Sequence, residues 1–219
     1  MSRRKLDLKT PVPIPIYHIT DIKNLTSILE RARLCAYNRL RQDNINYINI
    51  AYQTIQDRRA TTTVPCGAGG VLHDYVPFYF APRSPMLYTI HRGNVPGYTQ
   101  GQRSVLYLVS SVEAISTNIP GFVFTDGHGI MAYSDFYDDL AYLNRIDWQI
   151  MKENYWADTP DDGDRKRRRQ AEFLVPQFCP WRLIEEIGVF DFTIQVQVRK
   201  RLQKFNPQPP VNVYRDWYY

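Results

Sequence analysis

An α+β architecture is the fold class this sequence predicts, and three observations carry it. Strand-like segments outnumber helical ones and do not alternate with them, which argues against a doubly wound parallel sheet. The 219 residues, 44% apolar and 14% aromatic with 16 tyrosines, suffice for one elaborated domain (1–219) with one main core. Internal repeats and low-complexity tracts are absent.

The elements follow in chain order. Ile14 to Ile19 reads as an edge strand, because Pro15 would remove a ladder donor from a central one. Thr20 or Asp21 then caps a helix whose apolar residues Ile22, Leu25, Ile28 and Leu29 recur at helical spacing. From Tyr37 to Gly70 the chain is polar and arginine-rich, a long functional loop with a helical insert over Ile45 to Ile55. Val76 to Phe80 is a strand ended by the proline turn Ala81-Pro82-Arg83-Ser84-Pro85. Further strands are expected at Val105 to Val109, Phe122 to Phe124, Ala171 to Val175 and Val189 to Val198, and short helices at Ser134 to Arg145 and Asp147 to Tyr155. The Asp-rich stretch Trp156 to Asp164, with Pro160 and Gly163, is an irregular loop that leads toward the last-but-one of those strands.

Charge is segregated along the chain. The net charge is +5 and the isoelectric point about 9.1. Between Asp135 and Asp164 nine acids stand against two bases, whereas Arg165-Lys166-Arg167-Arg168-Arg169 is wholly basic and Arg199 to Lys204 is a second basic run. Each run reads equally as a solvated face or as a footprint for a polyanion. Three distant cysteines exclude a disulfide framework, and neither a CxxC nor an HExxH pair marks a metal site. The amino-terminal Met1-Ser2-Arg3-Arg4-Lys5 leads into no apolar signal segment, and no run reaches the roughly 18 apolar residues of a membrane span. A soluble protein of the reducing cytoplasm, without a membrane partner, is the expectation.

Four positions invite chemistry. Glu172 lies inside the apolar run Ala171-Glu172-Phe173-Leu174-Val175, where a carboxylate is costly to desolvate unless something pairs with it or uses it. Strand alternation puts Glu172 and Leu174 on one face and Ala171, Phe173 and Val175 on the other. A strand-edge glutamate is otherwise an ordinary solvent-facing or ion-paired residue. His18 and Thr20 end a strand with groups able to meet a ligand, Arg58-Arg59 can hold phosphate or polarise a carbonyl, and His128 follows a strand in Thr125-Asp126-Gly127-His128-Gly129. Structural histidines, a solvated helix end and a plain turn are the alternatives for these three.

Taken together, several segments resemble the DarT family of DNA ADP-ribosyltransferase toxins. They are Ile16-Tyr17-His18-Ile19-Thr20-Asp21-Ile22-Lys23-Asn24-Leu25, Ile55-Gln56-Asp57-Arg58-Arg59, the 17-residue block from Leu72 to Tyr88, Phe122 to Gly129, Tyr155-Trp156-Ala157-Asp158, Ala171 to Val175 and Asp216-Trp217-Tyr218-Tyr219. The resemblance implies an ADP-ribosyltransferase (PARP-like) fold with central split β-sheets and peripheral helices. It implies transfer of ADP-ribose from NAD, a consumed co-substrate, to a base of single-stranded DNA, thymine in the branch this chain most resembles. Glu172, Arg59 and His128 take catalytic positions in that reading. His18, Thr20, Asn24, Arg59 and Met86 bind NAD, residues 38–66 form the NAD-binding loop, and residues 135–170 include the substrate-presenting turn. A macrodomain antitoxin that removes the modification is the implied partner, and no metal is required.

The roles have physical grounds. Breaking the nicotinamide–ribose bond creates oxocarbenium character, which a carboxylate beside the ribose stabilises. A thymine ring nitrogen must lose its proton to attack, and Arg59, always protonated, can stabilise charge on the base carbonyl while Glu172 or water takes the proton. The pairing edge is free in single-stranded DNA. Tyr47, Tyr75 and Tyr88 are candidates for stacking on bases, and Arg83, Arg165, Arg167 and Arg168 for phosphate contact. Transfer to guanine or to protein, and a noncatalytic single-strand-binding module, are the competing readings.

Overall fold

In a computed structural model of the chain, which describes residues 12–219, the elements are β1 (Pro15–Asp21), α1 (Leu25–Glu30), β2 (Arg33–Cys35), α2 (Tyr37–Gln42), α3 (Gln53–Thr61), β3 (Tyr75–Tyr79), α4 (Pro85–His91), β4 (Val105–Ser111), α5 (Val112–Asn118), β5 (Val123–Thr125), β6 (Phe136–Tyr137), α6 (Trp148–Lys152), α7 (Arg165–Arg168), β7 (Glu172–Pro176), β8 (Phe178–Pro180), β9 (Glu186–Val189), α8 (Phe192–Leu202) and β10 (Val211–Val213). Eight strands form one sheet in the order β10-β9-β4-β1-β3-β7-β5-β6, and β2 pairs with β8 separately. Helices are peripheral, and the mixed, non-alternating order makes the class α+β as expected. The amino-terminal basic stretch Met1 to Lys5 lies outside the described residues. No helix among the described residues is long and apolar enough to cross a membrane.

The large sheet is split down its middle, and proline chemistry explains where. β1 pairs with β4 over its whole length, from Pro15↔Ser111 to Asp21↔Val105, but meets β3 at a single position, Tyr17↔Tyr79. Pro77 in β3 has no N–H to offer across this seam, and its carbonyl accepts from the His18 ring at 2.8 Å instead of from a strand backbone. Two half-sheets therefore part between β1 and β3 and leave a cleft. Pro15 corrects the edge-strand expectation: β1 is central, and Pro15 is tolerated as its first residue.

Three further expectations are overturned. Val189 to Val198 is not a strand: β9 ends at Val189 and α8 begins at Phe192, capped by Asp191, whose carboxylate accepts from the Ile194 N–H at 3.0 Å. Ile194, Val198 and Leu202 face the core at helical spacing, and the exposed Val196 merely imitates strand alternation. The helical insert is not at Ile45 to Ile55. Residues 45–52 are irregular, and helices lie on either side as α2 and α3. Ser134 to Arg145 holds the two-residue β6 and a 3-10 turn at Leu140–Arg145 in place of a helix. Asp147 does cap α6, accepting from the N–H groups of Gln149 and Ile150.

Strand β7 is buried on both faces. Phe173 and Val175 enter the main core with Phe78, Phe124 and Trp181, while Leu174 joins a smaller one with Leu72, Tyr75 and Val123. Glu172 shares the Leu174 face, as alternation requires.

Candidate functional site

Glu172 opens β7 opposite Tyr79 of β3 and is 1% exposed. Its carboxylate is paired: Arg59 Nη1 donates to Oε1 at 3.0 Å and to Oε2 at 2.8 Å. Arg59 is itself buried, with Nη2 lacking a hydrogen-bond partner. A buried donor left open is costly, so a ligand carbonyl or anion that reaches Nη2 gains more than one meeting a solvated guanidinium.

Polar contacts, not an apolar stripe, deliver Arg59. Gln56, Arg58 and Arg59 on α3 reach three different groups: the His73 ring at 2.8 Å, the Ile130 carbonyl at 2.7 Å and Glu172. His73 is buried beside the stacked Tyr37 ring, 4.1 Å away between centroids, which ties α2 to the same floor. Burial, helped by the nearby Arg59 charge, pulls the His73 pKa down to about 4.

His128 approaches from the segment after β5. Its Nε2 lies 4.0 Å from Glu172 Oε1, and burial holds its pKa down to about 4 against the opposing pull of that carboxylate. It is a neutral imidazole at neutral pH. Thr125 fixes the segment, accepting from the Glu172 N–H at 3.1 Å and donating to the Gly127 carbonyl at 2.6 Å. Gly127 is required by close approach, since a Cβ there would sit 2.3 Å from Arg167 Nη1.

His18 donates through Nδ1 to Pro77, and burial lowers its pKa although that bond opposes the shift. Nε2 of the neutral ring is then an acceptor. Asn24 lines the same cleft, and its amide donates to the Ile48 carbonyl at 2.9 Å and accepts from the Ile48 N–H at 2.7 Å. It holds the irregular 45–52 segment over the cleft, and its second amide contact is the Thr20 hydroxyl.

Two clefts adjoin at this point. The first, at the sheet seam, is lined by His18, Thr20, Tyr47, Arg59, His73 and Met86. The second is lined by Arg58, Ile130, Tyr133, Asp158, Lys166 and Gln170. Tyr79, Met86 and His128 belong to both and form the partition. Burial, followed by the Glu172 charge, pushes the Tyr79 hydroxyl pKa upward and keeps it a neutral phenol.

The expected DNA contacts are placed less favourably. Tyr75 is buried, its hydroxyl on the Gly69 carbonyl, and cannot stack on a base. Tyr47 lines the first cleft, not the second. Arg83 donates to the Tyr218 carbonyl at 2.9 Å and lies over the Tyr219 ring. Tyr88 is partly exposed and packs on Trp156 and Tyr219. The basic run turns inward. Arg165 donates to the Tyr155 and Ala157 carbonyls, Arg167 pairs with Asp126 and Asp164, and Arg168 pairs with Asp147 and Asp162. Acids that precede the run pair with Arg167 and Arg168, and Arg165 spends its donors on backbone carbonyls, so the three are engaged within the fold. Lys166, exposed on the wall of the second cleft, is the cation of the run that sequence reasoning passed over, as it did the His73–Gln56 contact.

The sheet and its seam are those of an ADP-ribosyltransferase fold. Thermus sp. 2.9 DarT has the same fold in its complex with ADP-ribosylated ssDNA (TM-score 0.89, 44% identity, 100% of each chain) and in its complex with NAD+ (TM-score 0.85, 42% identity, 96% of this chain and 100% of that one). A DNA ADP-ribosyl transferase of Thermus aquaticus is 47% identical over 214 residues, 97% of this chain and 92% of the relative. A fusion of DNA ADP-ribosyl transferase and DNA ADP-ribosyl glycohydrolase from Thermosipho africanus is 27% identical over 192 residues, 87% of this chain and 46% of the relative. The family described as "ssDNA thymidine ADP-ribosyltransferase, DarT" matches residues 17–219, and the chain belongs to it.

Proposed function

We propose that this protein transfers ADP-ribose from NAD, its co-substrate, to thymine in single-stranded DNA, and that it is the toxin of a cytoplasmic toxin–antitoxin pair whose macrodomain partner removes the mark. The buried Arg59–Glu172 pair, beside the partition between two clefts, is the observation that carries the reading. NAD occupies the seam cleft, where His18 and Thr20 hydrogen-bond the ADP-ribose portion and Met86 packs against it. Glu172 stabilises the positive charge that grows on the ribose as the bond to nicotinamide breaks. The base enters from the second cleft. Its ring nitrogen forms the new bond to the anomeric carbon, nicotinamide leaves with the former bonding pair, and the proton of the ring nitrogen passes to Glu172 or to water. Arg59 Nη2, open and buried, stabilises the base carbonyl as that proton departs.

The fused glycohydrolase of the Thermosipho relative supports an eraser as partner, because fusion joins activities that act on one product. The test is incubation with NAD and oligonucleotides each lacking one base, followed by mass measurement. Gain of one ADP-ribose mass on every oligonucleotide except the one without thymine is expected. Modification that survives the loss of thymine but not of guanine moves the acceptor to guanine, and NAD consumption with unmodified oligonucleotide rejects DNA as acceptor.

A further inference from the structure

The Asp216-Trp217-Tyr218-Tyr219 segment stands apart from the clefts, yet Tyr219 reaches the acceptor side. Residues 155–163 are held chiefly by the helix that follows them: Arg165 takes the carbonyls of Tyr155 and Ala157, Asp158 accepts from the Lys166 N–H, and Asp162 pairs with Arg168. Such ties place the segment by way of α7, which Arg167 anchors on Asp126 and Arg168 on Asp147, but do not join it directly to the rest of the fold. Among the described residues one hydrogen bond does that, from Trp156 Nε1 to the Tyr219 hydroxyl at 2.6 Å.

Tyr219 is in turn well anchored. Gln102 engages its backbone from both sides, accepting from its N–H and donating to its carbonyl. Its hydroxyl donates to the Arg83 carbonyl at 2.7 Å, and the Arg83 guanidinium lies 4.5 Å from its ring centroid. Arg83 has φ +55°, a left-handed conformation unusual for a residue with a Cβ, and it directly precedes Ser84, the cap of α4. The Tyr107 hydroxyl receives the Arg83 N–H at 3.1 Å, so two tyrosines hold the strained turn. α4 carries Met86 into the partition between the clefts.

We infer that Tyr219 is a positioning residue for the DNA acceptor: through Trp156 it registers segment 155–163, which walls the second cleft with Asp158 and Gly163, against the turn that launches α4. The inference rests on the proposed use of the second cleft for DNA. A hydroxyl shared between an indole N–H and a backbone carbonyl fixes both distance and direction, which a packed ring alone does not.

The test compares Tyr219→Phe and Trp156→Phe with the parent in steady-state transfer to a thymine-containing oligonucleotide, with thermal unfolding alongside. Each variant is expected to raise the oligonucleotide KM about tenfold, with kcat at saturating oligonucleotide, the KM for NAD and the unfolding temperature close to the parent's. An unchanged oligonucleotide KM in either variant overturns the positioning role. So does a parallel rise in both KM values with a lowered unfolding temperature, which marks a merely structural contact. If the parent itself leaves the oligonucleotide unmodified, the functional proposal fails, an outcome distinct from failure of the variants to differ from an active parent.

Discussion

The two clefts are built on opposite principles. Around the seam cleft two of the groups given chemical roles, on a strand and on a helix docked to the sheet, have partners far along the chain: His18 on Pro77, 59 residues away, and Arg59 on Glu172, 113 away. Around the second cleft, Arg58 of α3 apart, the charged groups sit on irregular segments and the four-residue α7, and their charges are settled mostly among near neighbours such as Arg167 and Asp164. The first arrangement suits a reaction that needs donor groups preorganised in a dry site. The second suits a flexible single strand that must be received and released.

The sharpest way to break this contrast is at Glu172. Glu172→Gln keeps the size and an acceptor but removes the charge, and should lower kcat for transfer by about a thousandfold, on the order of the effect of losing one preorganised transition-state group. It also leaves the Arg59 charge buried without its carboxylate, so the unfolding temperature should fall as well. Transfer within tenfold of the parent in a kinetic assay would remove the donor-side argument.

Arg59→Lys follows. An ammonium is a point charge that cannot hold both Glu172 oxygens and still present a second planar arm, so kcat should drop about a hundredfold while oligonucleotide affinity holds. Loss of affinity with intact kcat would assign Arg59 to DNA binding instead.

Acid separates the clefts by pH window. His73 and His128 have folded pKa values near 4, below the ordinary 6.5, so the unfolded chain binds protons first as pH falls. Their contribution is intact above about pH 6.5 and is lost progressively down to about pH 4, at roughly 2 kcal/mol each by pH 5. Beside the second cleft Arg168 holds the half-exposed Asp162 below its usual range, and that pair persists until pH falls under the ordinary carboxylate value of 3.8. Urea unfolding between pH 7.5 and 5 should lose stability that the His73→Gln variant does not lose in full. Identical slopes for variant and parent would assign the acid sensitivity elsewhere.

How much of this was legible follows the same division. His18, His128 and Glu172 could be picked from the chain because a polar residue in an apolar strand, or at its end, is conspicuous, and Arg59 because two adjacent guanidiniums can hold phosphate or polarise a carbonyl. That Arg59 and Glu172 meet was not legible, since 113 residues separate them and α3 has no apolar face to announce its docking. Pro15 misled because its meaning depends on position along the strand, while Pro77, the residue at the seam, looked ordinary within Val76-Pro77-Phe78. α8 was misread because Ile194, Val196 and Val198 alternate as a strand would, and Asp191 as a cap outweighs that pattern. The arginine run was overvalued for another reason: net charge along a sequence does not show that Asp126, Asp147 and Asp162 fold back upon it.

That last error defines the smallest and most discriminating expectation. If α7 is an internal clamp with one outward cation, Lys166→Ala should weaken oligonucleotide binding slightly and equally across sequences. It should reduce the slope of log affinity against log salt by about 0.7, the value for one phosphate contact on a single strand. Arg168→Ala should leave that slope nearly unchanged and lower thermal stability instead, because it strands Asp147 and Asp162 in a partly buried acidic patch. Binding titrations at several salt concentrations, paired with unfolding curves, separate the two. A larger slope change for Arg168→Ala than for Lys166→Ala would return the whole run to the DNA surface and make the acceptor cleft as electrostatic as its sequence first implied.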